Sequence, residues 1–205
     1  MVPVKKITIV DYGLGNLRSV SRGLEKAGGR PVITTDPADV ASADGIVLPG
    51  VGAFRDGMEQ LGELRIVILE ASRSVPLLGI CLGMQMMLEW SEEQGLHRGL
   101  ALVPGTVRRF PRVSGFKVPH MGWNSLSSVR QDNPLFEGIR PGDYMYFVHS
   151  YYADTKDRYT LAQTEYILPF ASSIWDERYV FGVQFHPEKS GSRGLCLLKN
   201  FLGLL

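Results

Sequence analysis

The sequence predicts a three-layer α/β fold: a mostly parallel central sheet with helices on both faces and an antiparallel extension. Three observations lead there. Short apolar runs alternate with helical periodicities through the first half of the chain. Each run stops at a glycine- or proline-containing turn. The second half replaces this alternation with β-branched and aromatic runs joined by short turns. Strands separated by helices pair in parallel, since a parallel connection needs a crossover, and the crossover helices cover both sheet faces.

The elements follow in order. Ile7-Thr8-Ile9-Val10 is a buried strand ended by Asp11-Tyr12-Gly13. Asn16 is placed to cap a helix whose apolar positions are Leu17, Val20, Leu24 and Ala27, and Gly28-Gly29 stops it. Pro31-Val32-Ile33-Thr34 and Gly45-Ile46-Val47-Leu48 read as the next two strands, the latter running into Pro49-Gly50-Val51-Gly52. A helix is expected over much of 55–74, a strand over 75–80, and a helix from Cys81 to about Trp90. Strands at 106–110, 145–151, 159–164, 170–175 and 179–185 form the antiparallel part, and 191–205 closes the chain as a helix. No repeat, low-complexity tract or linker divides the chain, so residues 1–205 read as a single domain.

Composition narrows the function. At 205 residues, 44% hydrophobic and 21% charged, the chain is an ordinary globular protein with room for a sizeable core. A net charge of +1 offers no electrostatic case for nucleic acid. The cluster Arg108, Arg109, Arg112 and Lys117 is broken by Pro111 and Gly115 and reads as a solvated hairpin or an interface rim. Two isolated cysteines, Cys81 and Cys196, are neither a disulfide framework nor a zinc motif. The N-terminus lacks signal-peptide features, and no apolar run is long enough to span a bilayer, so a reducing cytoplasmic setting is expected.

The chemistry centres on Gly79-Ile80-Cys81-Leu82-Gly83, which lies where a buried strand becomes a helix. This is the G-x-nucleophile-x-G form of a nucleophile elbow. A nucleophile on so sharp a turn collides with its neighbours unless glycine stands two residues away on each side. The following helix favours the thiolate, and the Leu82 amide is placed to meet a developing oxyanion. A lone cysteine is more often a small core hydrophobe, but such a residue needs no flanking glycines. Cys196, among Leu195, Leu197 and Leu198, takes that core reading.

A cysteine nucleophile needs a base and a group to orient it. Of four histidines, His97 lies in a polar stretch and reads as solvated. His120 is structural or lines a pocket, and His149, ending a strand, is a partner contact or a satisfied core residue. His186 is the strongest base. On an extended segment alternate residues share a side, so His186 and Glu188 are expected on one face, with Pro187 stiffening the step. The carboxylate would fix the imidazole tautomer and stabilise the imidazolium. A surface His-Pro-Glu turn is the bland alternative, and the elbow weighs against it.

Two glycine loops remain. Pro49-Gly50-Val51-Gly52 follows a buried strand and offers backbone amides for the second half of an oxyanion hole, or is a plain strand-to-helix turn. Gly13-Leu14-Gly15 is a poor dinucleotide fingerprint, because the third glycine would fall at Arg18.

Taken together, Gly79-Ile80-Cys81-Leu82-Gly83-Met84-Gln85 and His186-Pro187-Glu188 resemble the triad-type, or class I, glutamine amidotransferases. Asp11-Tyr12-Gly13-Leu14-Gly15-Asn16-Leu17, Pro49-Gly50-Val51-Gly52-Ala53-Phe54, Pro119-His120-Met121-Gly122-Trp123-Asn124, Tyr146-Phe147-Val148-His149-Ser150-Tyr151 and Gln184-Phe185-His186-Pro187-Glu188-Lys189-Ser190 resemble one branch of that family. Its members feed ammonia to a (β/α)8-barrel cyclase that makes imidazole glycerol phosphate and AICAR in histidine biosynthesis. The resemblance spans nearly the whole chain and implies the flavodoxin-like layering of that family. It implies a catalytic triad of Cys81, His186 and Glu188, and an oxyanion hole of Leu82 with Gly50, Val51 and Gly52. It implies that Gln85, Gly52, His149, Ser150 and Tyr151 line the glutamine site. Asn16, Trp123, Tyr146 and Lys189 would lie at the interface of a heterodimer with the cyclase. No metal or organic cofactor is implied, nor a nucleic-acid or membrane partner. Two rivals stand beside it: a glutaminase serving another synthase, and a cysteine hydrolase or peptidase on a similar sheet. A catalytically dead interaction subunit is a third, opposed by the intact Cys81, His186 and Glu188.

Overall fold

The computed structural model describes residues 5–205, and part of the N-terminal stretch that lacks signal-peptide features in sequence lies outside the described residues. The first half builds β1 (Ile7–Val10), α1 (Leu17–Ala27), β2 (Pro31–Thr34), α2 (Pro37–Ala41), β3 (Gly45–Gly50), α3 (Phe54–Leu61), α4 (Leu64–Ala71), β4 (Leu77–Cys81) and α5 (Leu82–Met86). The rest adds β5 (Leu88–Ser91), β6 (His97–Arg98), β7 (Val103–Arg109), β8 (His120–Val129), β9 (Tyr144–His149), β10 (Tyr151–Asp154), β11 (Thr160–Glu165), β12 (Pro169–Trp175), β13 (Val180–Val183) and α6 (Gly191–Gly203).

The main path of the sheet runs β2-β1-β3-β4-β13-β12-β10-β7-β5-β6. Its first five strands are parallel, and β12 onward turns antiparallel apart from the β5–β7 pair. A side branch carries β11, β8 and β9 off β12. Two apolar cores form, one on each face. Ile7 and Ile9 join Val20 and Leu24 of α1 and Leu197, Leu198 and Phe201 of α6. Val10, Ile46 and Leu48 join Val40 of α2, Phe54 of α3 and Ile68 of α4. Successive strand residues point to opposite faces, so one four-residue strand supplies both layers. Each fully enclosed aliphatic or aromatic side chain contributes roughly 1.5–3 kcal/mol of transfer free energy. No helix among the described residues is long and apolar enough to cross a membrane.

Several local expectations are corrected. The helix expected over 55–74 is two helices, α3 and α4, because Gly62 takes φ 50°, ψ −128° between them. The helix after Cys81 stops at Met86 rather than near Trp90. There the chain turns into β5, while Leu100, Leu102 and Val103 donate to the carbonyls of Met86 and Met87. Asn16 precedes α1, but its side chain makes no capping hydrogen bond. The strand expected over 145–151 is broken at Ser150 into β9 and β10. β8 carries no clean apolar alternation, with Gly122 and three serines in it; its pairing with β9 and β11 supplies what its composition does not. Most consequentially, β13 is not only an antiparallel strand: it pairs in parallel with β4 and antiparallel with β12.

The elbow glycines are held to their identity by packing. A Cβ on Gly83 would run into the Leu48 carbonyl oxygen and lie 2.8 Å from the Leu48 carbonyl carbon. One on Gly79 would sit 2.8 Å from the Gly83 carbonyl carbon and the Met84 nitrogen. These obstacles are backbone and cannot rotate away. Gly83→Ala is expected to lower the unfolding free energy by roughly 3 kcal/mol, read as a fall in denaturant midpoint at constant slope; a loss under about 1 kcal/mol would show that the turn yields.

Candidate active site

Cys81 closes β4 and precedes α5 with φ 55° and ψ −108°, a conformation that side-chain-bearing residues rarely adopt. Such backbone costs on the order of 1–3 kcal/mol and persists only where the surroundings hold it. Here they do. Gly50 of β3 is in register with Cys81, and on the other flank Ile80 is in register with Val183 of β13. The carboxyl ends of three parallel strands thus meet at one residue.

On the β3 side lies the 49–52 loop. A Cβ at Gly50 would meet the Tyr12 hydroxyl and come within 2.9 Å of Leu82 Cβ and 3.0 Å of the Gly83 nitrogen, so glycine lets this backbone approach the elbow. The buried Tyr12 hydroxyl donates to the Pro49 carbonyl at 2.7 Å and anchors the base of the loop. Burial, with Cys81 adding, holds that hydroxyl far above its ordinary pKa, so it remains a donor. Beyond it Val51 is exposed, and Gly52 sits at φ 106° with open space around it.

On the β13 side the chain continues through Gln184 and Phe185 to His186, which is extended (φ −98°, ψ 97°), and then turns through a 3-10 segment at Pro187–Lys189. Glu188 therefore reaches His186 around a turn rather than along the extended face expected from the sequence. His186 Nδ1 lies 2.9 Å from Glu188 Oε1, with the carboxylate side chain fully enclosed. Two further contacts lock this turn: the His186 amide donates to the Tyr146 carbonyl at 2.9 Å, and the Ser190 hydroxyl donates to the His186 carbonyl at 2.6 Å. His186 Nε2 is buried with no nitrogen or oxygen partner, and the imidazole's other interaction is with Cys81. Burial opposes charge on this imidazole, but the hydrogen bonds and fields of Cys81 and Glu188 outweigh it and raise the pKa to about 9.

Gln85 and Tyr151 come together beside Cys81. Gln85 Nε2 donates to the Tyr151 carbonyl at 3.1 Å and to Gln184 Oε1 at 3.0 Å. Gln184 Nε2 in turn donates to Cys81 Sγ at 3.7 Å, and Cys81 Sγ lies 3.8 Å from the Val148 carbonyl oxygen. Gln184 is completely buried and was not singled out from the sequence. A signal existed: alternate residues of the extended segment leading into His186 share a side, and that places Gln184 with His186. Tyr12 stands in the Asp11-Tyr12-Gly13 turn, where nothing in the neighbouring residues marks its hydroxyl as an anchor. His149 is buried, and Ser150 and Tyr151 are half-buried at the β9–β10 break.

Of the four expected interface residues, three cluster. Trp123, 55% exposed, meets the Tyr146 ring edge-on at 6.0 Å, and Lys189 Nζ lies 5.7 Å above the same ring. Asn16 heads α1 elsewhere in the chain. Arg108, Arg109, Arg112 and Lys117 are all exposed, with Arg108 paired to Asp154 at 2.9 Å. His97 is not simply solvated: it is half-buried in β6, paired with β5. Cys196 is half-buried rather than core, its thiol donating to the Glu137 carbonyl at 3.4 Å. No group of three or more His, Cys, Asp or Glu among the described residues is placed to hold a metal ion.

A strained cysteine at the head of a helix, beside a buried His–Glu pair just beyond the end of the adjacent parallel strand, defines an α/β enzyme of the cysteine-nucleophile class. The chain belongs to the class I glutamine amidotransferase family, whose model matches residues 8–203, and within it to the imidazole glycerol phosphate synthase HisH subunits. It is 54% identical to the "Imidazole glycerol phosphate synthase subunit HisH" of Methanosarcina acetivorans, over 97% of this chain and 98% of that one. Subunits of the same name from Archaeoglobus fulgidus and Syntrophotalea carbinolica are each 48% identical, over 97% and 95% of this chain and 98% of theirs. Among solved structures, PurLQS from Thermotoga maritima superposes with a TM-score of 0.78 at 19% identity, covering 98% of this chain and 99% of that one. A structure described as glutamine amidotransferase gives 0.74 at 17%, covering 96% and 97%. At those identities the structures establish the shared fold.

The raised His186 pKa sets a pH limit. The imidazolium is expected to persist up to about pH 9 and to be lost above it, and with it any proton it could donate. The alkaline limb of kcat/KM is expected near that value. Glu188→Gln is expected to move the limb to lower pH and reduce kcat on the order of 100-fold; an unmoved limb would separate Glu188 from the imidazole's titration.

Proposed function

We propose that this chain is the glutaminase half of an imidazole glycerol phosphate synthase: it hydrolyses glutamine to glutamate and passes the ammonia to a cyclase partner. The observation that carries the reading is the juxtaposition at one sheet edge of Cys81, at positive φ, with the enclosed His186–Glu188 pair. The Cys81 thiolate attacks the side-chain amide carbon of glutamine. His186, charged and oriented by Glu188, gives its proton to the departing ammonia. The Leu82 amide and the loop of Gly50, Val51 and Gly52 hold the oxyanion. Water activated by the now neutral His186 then releases glutamate from the γ-glutamyl thioester.

Gln85, Gly52, Ser150, Tyr151 and the backbone of His149 surround the glutamine in this reading. The proximity of Gln85, Tyr151 and the Val148 carbonyl to Cys81 supports that assignment. Trp123, Tyr146 and Lys189, with Asn16, face the partner, a (β/α)8-barrel cyclase in a cytoplasmic heterodimer. The exposed Trp123 and its contacts with Tyr146 and Lys189 support an interface there. Free ammonia is lost without a consumer, so hydrolysis is slow until partner and ligand bind. The open surroundings of Gly52 make the loop a fitting switch, since a glycine peptide reorients at little steric cost.

Cys81→Ala is expected to abolish glutamine hydrolysis while ammonia-driven synthesis by the complex continues. Retained hydrolysis would remove Cys81 from the mechanism. The isolated chain should turn glutamine over slowly and accelerate on addition of the liganded cyclase; full activity alone would defeat the gating.

A further inference from the structure

Two buried histidines outside the triad, His120 on β8 and His149 at the end of β9, stand side by side in the strand register and face each other across 2.9 Å, Nδ1 of His120 to Nε2 of His149. Both are almost wholly buried among aromatic rings. His120 is stacked on Tyr166, with centroids 4.1 Å apart, and on Phe147 at 4.9 Å. Phe110, Phe147 and Phe170 surround His149. An aromatic cage of this kind would be filled more cheaply by phenylalanine, because every buried nitrogen must find a partner.

The partners form one directional series. A carbonyl oxygen only accepts, so His149 Nδ1, 2.7 Å from the Tyr151 carbonyl, carries the proton there. Burial lowers the pKa of His149 to about 3 and that of His120 to about 4, so both rings are neutral. His149 Nε2 is then a lone pair, and His120 Nδ1–H donates to it. His120 Nε2 is in turn a lone pair, filled by the Asn124 amide at 3.2 Å. Asn124 is itself oriented: its Nδ2 also donates to the Glu165 carbonyl at 2.9 Å, and its Oδ1 accepts from the Ser125 amide at 2.8 Å. Every tautomer and amide orientation in the series is settled by its neighbour.

At its inner end the series meets the active site. The Tyr151 carbonyl that accepts from His149 also accepts from Gln85, whose second hydrogen goes to Gln184, which donates to Cys81. We infer that His120 and His149 are positioning residues for glutamine hydrolysis: their relay from Asn124 fixes the Tyr151 carbonyl at the β9–β10 break, and that carbonyl orients the Gln85 amide beside the substrate. The inference rests on the reading of the Cys81 site as the glutamine site. It also gives the exposed β8 segment around Trp123 a hydrogen-bonded route to the glutamine pocket, since Asn124 follows Trp123 directly.

The test compares the wild-type, His120→Phe and His120→Asn chains, each assembled with the cyclase partner. His120→Phe keeps the ring and removes both nitrogens. It is expected to raise the KM for glutamine about tenfold, the scale of one oriented hydrogen bond, with kcat changed less than about twofold. Ammonia-driven synthesis should be unchanged. His120→Asn, which retains a donor near the Nδ1 position, should recover most of the loss. On the wild-type chain, nitrogen NMR should find both rings neutral with the proton on Nδ1, a signature that mere packing does not require and that decides the matter if His120→Phe does not fold. A KM within twofold of wild type in a folded His120→Phe, or an Nε2–H tautomer at either ring, overturns the relay. A wild-type complex that leaves glutamine intact overturns instead the function on which the relay rests.

Discussion

The parallel register of β3, β4 and β13 is the constraint on which the rest depends. Pairing Gly50 with Cys81 and Val183 with Ile80 brings three strand ends to one level. The 49–52 glycine loop, Cys81 and the segment leading to His186 then leave the sheet at the same edge, as ligand sites in open α/β sheets do. A slip of one residue in either pairing would turn the side chains beyond the strand to the opposite face. Fully buried apolar residues on both faces, among them Ile46, Val47, Leu78 and Val183, make such a slip costly.

The strain at Cys81 and the enclosed charges behind it follow from that frame. A positive-φ cysteine survives because Gly79, Gly83 and Gly50 let backbone pass backbone at distances no side chain would allow. The His186–Glu188 pair is buried, which is unfavourable for isolated ions and tolerable for a pair with the Cys81 thiol at its other end. Removing one member leaves the others desolvated, so the three groups are linked energetically as well as chemically.

The second half of the chain builds the pocket and the outer surface from the same strands. Tyr146 of β9 accepts from the His186 amide with its backbone and presents its ring to Trp123 and Lys189. The Ser190 hydroxyl closes this arrangement, accepting from the Tyr146 amide while donating to the His186 carbonyl. The surface cluster and His186 are thus one hydrogen bond apart.

Local chemistry was legible in the sequence wherever it is written in neighbouring residues. The strand positions of the parallel core, the elbow glycines and the left-handed stop at Gly28 needed only periodicity and spacing, whereas His186 and Glu188 were expected together on an extended face and meet instead around a turn. The break at Met86 and the strand β8 were not legible, because distant partners decide them: the carbonyls of Met86 and Met87 are taken by residues near 100, and β8 is held by β9 and β11. Gln184 was hidden for a related reason, since a buried glutamine looks like any polar residue until its partners Gln85 and Cys81 are placed. The sequence by itself determined which residue types could do cysteine chemistry and on which turns they sit. Only the tertiary structure decided that β13 lies parallel to β4, and therefore that His186 meets Cys81, because strand neighbours are chosen by packing across the whole sheet and not by the residues of either strand alone.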